Sequence, residues 1–253
     1  MLKNLILSAA AAGVAAGLFT AVVQHVTTTP IILEAEKYEN GAGGHDHAPG
    51  TPTHDHAAAT DATVPAMSVA PEQPPAASTA AEEGEWAPTD GIGRTLYTSL
   101  ATTVMGVGFG LVLLGAMSLA GVTINARAGL AFGVAGFIAV ALAPAMGLPP
   151  EIPGSGAAEL GARQAWWFFA VGATALGIAG LLLAANTWLQ IGGVVLIAIP
   201  HIVGAPEAHT YLSTAPAELA GHFAATSLAV TAIFWAVLGY ASGAFYERFS
   251  RTG

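Results

Sequence analysis

A chain of 253 residues with 54% hydrophobic and 9% charged side chains, 31 glycines and a formal net charge of −9 lies far from soluble domains, where roughly a quarter of residues are charged. That composition excludes an ordinary soluble core and points to an integral membrane protein. With no cysteine there is no disulfide framework and no thiolate metal site, and seven basic residues against sixteen acids give no reason to expect a nucleic-acid partner.

A bilayer-crossing helix needs about twenty mostly apolar residues. Six stretches meet or approach that length: Leu5–Val26, Leu96–Ala120, Ala126–Met146, Trp166–Ala185, Leu189–Val203 and Leu219–Tyr246. The polar run Asn186-Thr187-Trp188-Leu189-Gln190 separates the fourth from the fifth and marks a tight hairpin, because one unbroken helix there would far exceed the hydrocarbon thickness. The expected fold is an all-α integral membrane protein, a bundle of about six transmembrane helices surrounded by lipid, with five as the alternative count. Three regions follow: residues 1–29 as the first span, 30–94 as an extracytoplasmic loop, and 95–253 as a five-helix membrane region.

The first stretch carries Lys3 and small residues like a signal peptide, but its apolar run of about twenty-two residues exceeds a signal core of 7–15, which favours a retained anchor. With the N-terminus inside, Lys3, Arg127, Arg248 and Arg251 are cytoplasmic, while Lys37, Arg94, Arg163 and all acids except Glu247 lie outside, a slight basic bias that gives the orientation expected in a bacterial cytoplasmic membrane. Four spans carry glycines four apart: Gly13/Gly17, Gly106/Gly110, Gly129/Gly133 and Gly239/Gly243. Such spacing lets backbones approach closely and implies tight packing, with a homo-oligomer left open.

Between Pro30 and Gly93 the chain turns to Pro, Ala, Thr, Gly, Glu and His, a composition that buries too little apolar surface to offset the entropy of ordering. Its beginning, Ile31–Glu39, has good helix formers and reads as a short amphipathic helix on the outer membrane surface. Within the loop stands a doubled His-Asp-His, with His45, His47, His54 and His56 around Asp46 and Asp55. Imidazole and carboxylate without thiol suit Co²⁺, Ni²⁺, Cu²⁺ or Zn²⁺ rather than Cu(I).

All eight histidines fall on one side of this topology: His25 ends the first span, the four loop histidines follow, His201 ends the fifth, His209 lies beyond it and His222 opens the sixth. Pro200 lacks an N–H for the Leu196 carbonyl, which frees an acceptor beside His201, and Glu207 lies close in sequence. A short span interrupted by Gly and Pro is a frequent mark of an ion site in transporters. His201 is therefore the leading metal ligand, with His25, His222, His209 and Glu207 as candidates beside it.

Several runs carry a family resemblance. Pro30–Glu39, the histidine loop, Arg94-Thr95, Ala143–Gly154, Trp166-Trp167 and Pro200–Pro206 resemble the CbtA family of cobalt transporter subunits, and Gly147-Leu148-Pro149-Pro150-Glu151 and Pro200-His201-Ile202-Val203-Gly204-Ala205-Pro206 are the most specific parts. The resemblance covers nearly the whole chain. It implies cobalt uptake linked to cobalamin synthesis and a small single-span, histidine-bearing partner called CbtB. It brings no established metal ligands, and the family is usually described with five spans.

Cobalt transport, most simply uptake, is the expected function, with Co²⁺ as cargo and no resident cofactor. The alternative is a membrane-tethered scavenger or sensor that passes ions to a separate permease. Neither Lys3 nor Lys37 closes a phosphate-binding loop, so no nucleotide engine is expected, and the absence of His-Glu-x-x-His weighs against an enzyme.

Overall fold

The computed structural model describes residues 2–43, 91–208 and 213–252. Within them the chain forms α1 (Leu2–Val26), α2 (Thr28–Gly43), α3 (Ile92–Leu119), α4 (Ala126–Phe137), a π-helical turn (Ile138–Leu142), α5 (Ala143–Ala145), α6 (Leu160–Leu183), α7 (Thr187–Val203) and α8 (Ala217–Thr252). Pro144 explains the π turn. Its ring clashes with the carbonyl four residues back and it donates no hydrogen bond, so the helix widens just before it.

Five helices are long and apolar enough to cross a membrane, α4 through α5 counting as one: Leu2–Val26, Ile92–Leu119, Ala126–Ala145, Leu160–Leu183 and Ala217–Arg251. The sixth apolar stretch is α7, a helix of 17 residues. At 1.5 Å per residue it is about 25 Å long, short of the roughly 30 Å hydrocarbon core.

Four helices make the main bundle, in which α1 packs along α3 and α8, and α4 packs along α8. The glycine pairs build these contacts. A Cβ at Gly13 would lie 2.3 Å from the Val107 nitrogen, one at Gly129 2.2 Å from the Gly239 oxygen, and one at Gly243 2.1 Å from the Asn125 oxygen. Backbones this close admit no side chain, and the four pairs are thus consumed within the chain. Ala9, Ala12, Ala16, Leu114, Met117, Trp235 and Leu238 fill the space between α1, α3 and α8. Alongside stands the α6–α7 hairpin, closed by Gly177 against Gly193, where α7 touches no described helix other than α6.

The ends of several elements differ from the sequence expectation. The chain between α6 and α7 turns at 184–186, and Thr187–Gln190 already belongs to α7, capped by the Asn186 side chain accepting from the Trp188 N–H at 2.8 Å. Helix α6 starts at Leu160 rather than near Trp166, because the Glu159 carboxylate accepts from the N–H groups of Gly161 and Ala162 at 2.8 and 2.7 Å. Those two bonds hold the Glu159 carboxyl below the usual carboxylate range.

The expected surface helix over Ile31–Glu39 is part of a longer α2, but it packs on protein. Ala35 is fully buried against Ile152 and Ala215, with Leu219, Ala220 and Phe223 around them. Gly154 pins this cluster to the start of α8: its φ is +76°, it accepts from the Thr214 N–H at 3.3 Å, and a Cβ there would meet the Thr214 hydroxyl at 2.2 Å. The cluster covers the end of the bundle remote from both chain termini.

Candidate functional site at the histidine-bearing end

That covered end gathers the polar chemistry. His25 closes α1, His201 lies in the last turn of α7, and His222 lies near the start of α8. Glu34, Glu36, Glu39, Glu151, Glu159, Glu207 and Glu218 sit at the same end, whereas Lys3, Arg127, Glu247, Arg248 and Arg251 sit at the other.

Two sites take shape there. The first is a cleft of about 390 Å³ where α1 bends into α2 beside the start of α3. Gln24, His25, Thr28, Arg94, Thr98 and Ser99 supply its polar lining. His25 is exposed to the cleft mouth, while the Gln24 side-chain oxygen is buried with no hydrogen-bond donor among the described residues. One turn deeper on α1, the buried Thr20 hydroxyl also has no partner there. Below them the route is shut, because a Cβ at Gly17 would lie 2.5 Å from the Thr103 Cα. The cleft is a blind pocket with His25 at its mouth, and the two oxygens without a partner among the described residues, Gln24 Oε1 and Thr20 Oγ1, are buried beneath its wall.

Arg94 fixes one wall by a fork of two hydrogen bonds to Glu36, Nη1 to Oε2 at 3.2 Å and Nη2 to Oε1. The guanidinium holds the Glu36 carboxyl below its ordinary range, chiefly through the hydrogen bond and secondarily through its charge. On the exposed side of α2, Lys37 donates to Glu34 at 2.6 Å, which raises the lysine's own value. The masking matters for cargo: Glu36 is neutralised by Arg94 and leaves the cleft without a strong anionic trap. One border of the loop lies at the cleft, since Gly91 lines it.

The second site is a junction between the two most distinctive sequence runs. A Cβ on Gly147 would stand 2.6 Å from Trp166 Cη2 and 2.8 Å from Ala205 Cβ, so the Gly-Leu-Pro-Pro-Glu run and the Pro-His-x-x-Gly-Ala-Pro run meet across the Trp166 ring. His201 is half-buried and approaches Trp166 edge-on, with ring centroids 6.4 Å apart. Pro200 is fully buried, and Gly204 ends α7 with φ +83°. The Trp166 Nε1–H is buried and has no acceptor among the described residues.

The sequence candidates are not drawn into one cage. His25 belongs to the cleft and His201 to the Trp166 junction, while His222 and Glu207 are exposed. Among the described residues no three of His, Cys, Asp and Glu form a group that would hold a metal ion. His45, His47, His54, His56 and His209 lie outside the described residues. Sequence reasoning did not single out Thr28 or Ser99, whose signal is only their place on cleft-facing turns. Nor did it give a role to Trp166, whose signal was the paired tryptophans.

The family model described as a probable cobalt transporter subunit (CbtA) matches residues 2–247, nearly the whole chain. No curated protein and no solved structure matches.

Proposed function

The chain belongs to the CbtA family of cobalt transporter subunits, and from that premise we propose that it carries Co²⁺ across the bacterial cytoplasmic membrane, inward, from the end that bears the histidines. The observation that carries direction is the polarity of the bundle: imidazoles and all described carboxylates but Glu247 gather at one end, while four of the seven basic residues, Lys3, Arg127, Arg248 and Arg251, fringe the other against Lys37, Arg94 and Arg163 at the acidic end. Positive residues favour the cytoplasmic side, which leaves the acidic end outside. A negative outer mouth concentrates cations before they enter.

The proposed route of capture runs from the His45–His56 loop to the cleft of Gln24 and His25 and to the His201 junction, with His209, Glu207 and His222 as auxiliary donors near the mouth. Scattered single imidazoles suit transport better than storage, since an ion must bind well enough to shed some water and weakly enough to leave. Ni²⁺ or Zn²⁺ would meet the same donors, and selection among them rests on geometry and supply. Inward movement of a divalent cation gains about 4.6 kcal/mol per 100 mV of inside-negative potential, twice the single-charge value. The chain therefore works as a transporter, without enzymatic chemistry, alone or with a small single-span subunit of the CbtB kind.

The test is radiolabelled Co²⁺ uptake with variants of the two sites. His201→Ala is expected to lower uptake at abundant metal more than loss of all four loop histidines does. Uptake equal to that of the unaltered protein would reject His201. The scavenger reading makes the opposite forecast, with the loop variant losing all function at every metal concentration.

A further inference from the structure

Helices α6 and α8 do not touch each other among the described residues, although both touch the π-helical turn between them. An open groove of about 810 Å³ fills that gap. Its walls are mainly apolar, with Val140, Ala141, Pro144, Phe168 and Leu228 along it and the single Thr231 hydroxyl nearly a turn beyond Leu228. Its rim is charged: Arg163 Nη2 donates to Glu151 Oε2 at 2.7 Å, and Gln164 and Trp167 flank the pair.

Depth and polarity change together. Arg163 lies in the first turn of α6, at the histidine-bearing end, whereas Leu228 lies eleven residues into α8, about 17 Å along the helix. Apolar walls at that depth are poorly filled by water, and a tryptophan beside charged groups fits the level of lipid headgroups. The charge pattern narrows the occupant. An anionic headgroup on Arg163 would meet the adjacent Glu151 carboxylate, while a zwitterion meets a partner for each of its charges. Both side chains remain about 30% exposed (29% for Arg163, 30% for Glu151), so each keeps free hydrogen-bonding capacity. A primary ammonium donates hydrogen bonds to a carboxylate, and a quaternary choline does not.

We propose that this groove is a specific phospholipid site for a phosphoethanolamine lipid, with its phosphate on Arg163, its ammonium on Glu151 and an acyl chain along Val140, Phe168 and Leu228. The lipid would tie the α6–α7 hairpin to the main bundle, which among the described helices it touches only through α4, the π turn and α5.

Leu228 replaced by photoreactive benzoylphenylalanine tests this in the full chain. The protein is reconstituted in vesicles of equal parts phosphatidylethanolamine and phosphatidylcholine with matched acyl chains, illuminated and weighed intact by mass spectrometry. Ethanolamine-lipid adducts are expected to exceed choline-lipid adducts about fivefold, as one or two partly exposed charge-assisted hydrogen bonds would give. Adding Glu151→Gln and Arg163→Gln should bring the ratio to about one. A ratio near one in the parent protein overturns the proposal, since it means ordinary surrounding lipid. A crosslinked dimer in place of lipid adducts also overturns it, by assigning the groove to a second copy.

Discussion

Asn4 and Phe249, 245 residues apart in sequence, meet at one end of the bundle, where the Asn4 Nδ2 lies 3.5 Å from the Phe249 carbonyl oxygen. The first and last helices therefore begin and end on the same side, which requires an even number of passes. The short α7 makes the parity work: it starts where α6 ends and finishes at Ala205 beside Gly147 and Trp166, at the far end. The described helices thus run from one end of the molecule to the other six times, five times with helices long and apolar enough to cross a membrane and once with α7, a helix about 25 Å long.

Cysteine accessibility tests this directly, because the natural chain has no cysteine. Lys3→Cys, Trp188→Cys and Arg251→Cys should all be shielded from an impermeant maleimide in intact cells, and Glu207→Cys should label. Labelling of Trp188→Cys while Lys3→Cys and Arg251→Cys stay shielded would break the six-pass topology, whereas labelling of all three with Glu207→Cys shielded would keep six passes and invert the orientation.

The glycine contacts make a sharp stability forecast. Gly239→Ala puts a Cβ 2.4 Å from the Gly129 oxygen and should destabilise the detergent-solubilised protein by about 2–3 kcal/mol, the scale of overpacking with backbone shifts. Gly108→Ala meets open space and should be neutral or stabilising by up to about 1 kcal/mol, because alanine favours helix. Thermal unfolding of the two variants side by side checks the order.

Much of this bundle was legible in the sequence. Gly13/Gly17, Gly106/Gly110, Gly129/Gly133 and Gly239/Gly243 stood out because each pair repeats on its own helix. Gly177 and Gly193 escaped notice since each contributes singly, and only the fold brings them together. The start of α6 was hidden by Arg163 and Gln164, which read as polar until Glu159 is seen capping the first turn. For the site, spans and hydropathy place histidines at one end of a membrane but say nothing of their separation in its plane. His25 and His201 were legible as residues of one end of the bundle, and their distribution over two different sites was not.

The Glu36–Arg94 pair gives stability a pH dependence. Because Arg94 lowers the folded-state value of Glu36, the contribution is complete above the ordinary carboxylate value of about 4.3 and disappears as pH falls through the lower folded value. Glu36→Gln should cost about 0.5–1 kcal/mol near neutral pH, the range of a partly exposed fork-shaped ion pair. The gap between the unfolding curves of variant and parent should shrink as pH falls through the lowered folded-state value of Glu36. A gap that stays constant across that range would exclude the charge as its origin.

Loss of His45, His47, His54 and His56 together should reduce uptake at scarce metal and leave it nearly intact at abundant metal, as befits a capture segment. Calorimetry with the full chain should show divalent-metal binding that weakens as pH falls through about 6.5, where free imidazoles protonate. Capture through a diffuse acidic field should also weaken with salt as the Debye length drops below about 10 Å. Salt-independent uptake at low metal would remove the electrostatic part of this reading.

The most direct test is Co²⁺ flux through the purified chain in oriented proteoliposomes, with an inside-negative potential imposed by a potassium gradient and no ATP present. With the histidine-bearing end facing the bath, inward flux should rise with the potential and fall in His201→Ala. Flux only from the opposite end, or none until ATP and another subunit are supplied, would contradict a potential-driven importer.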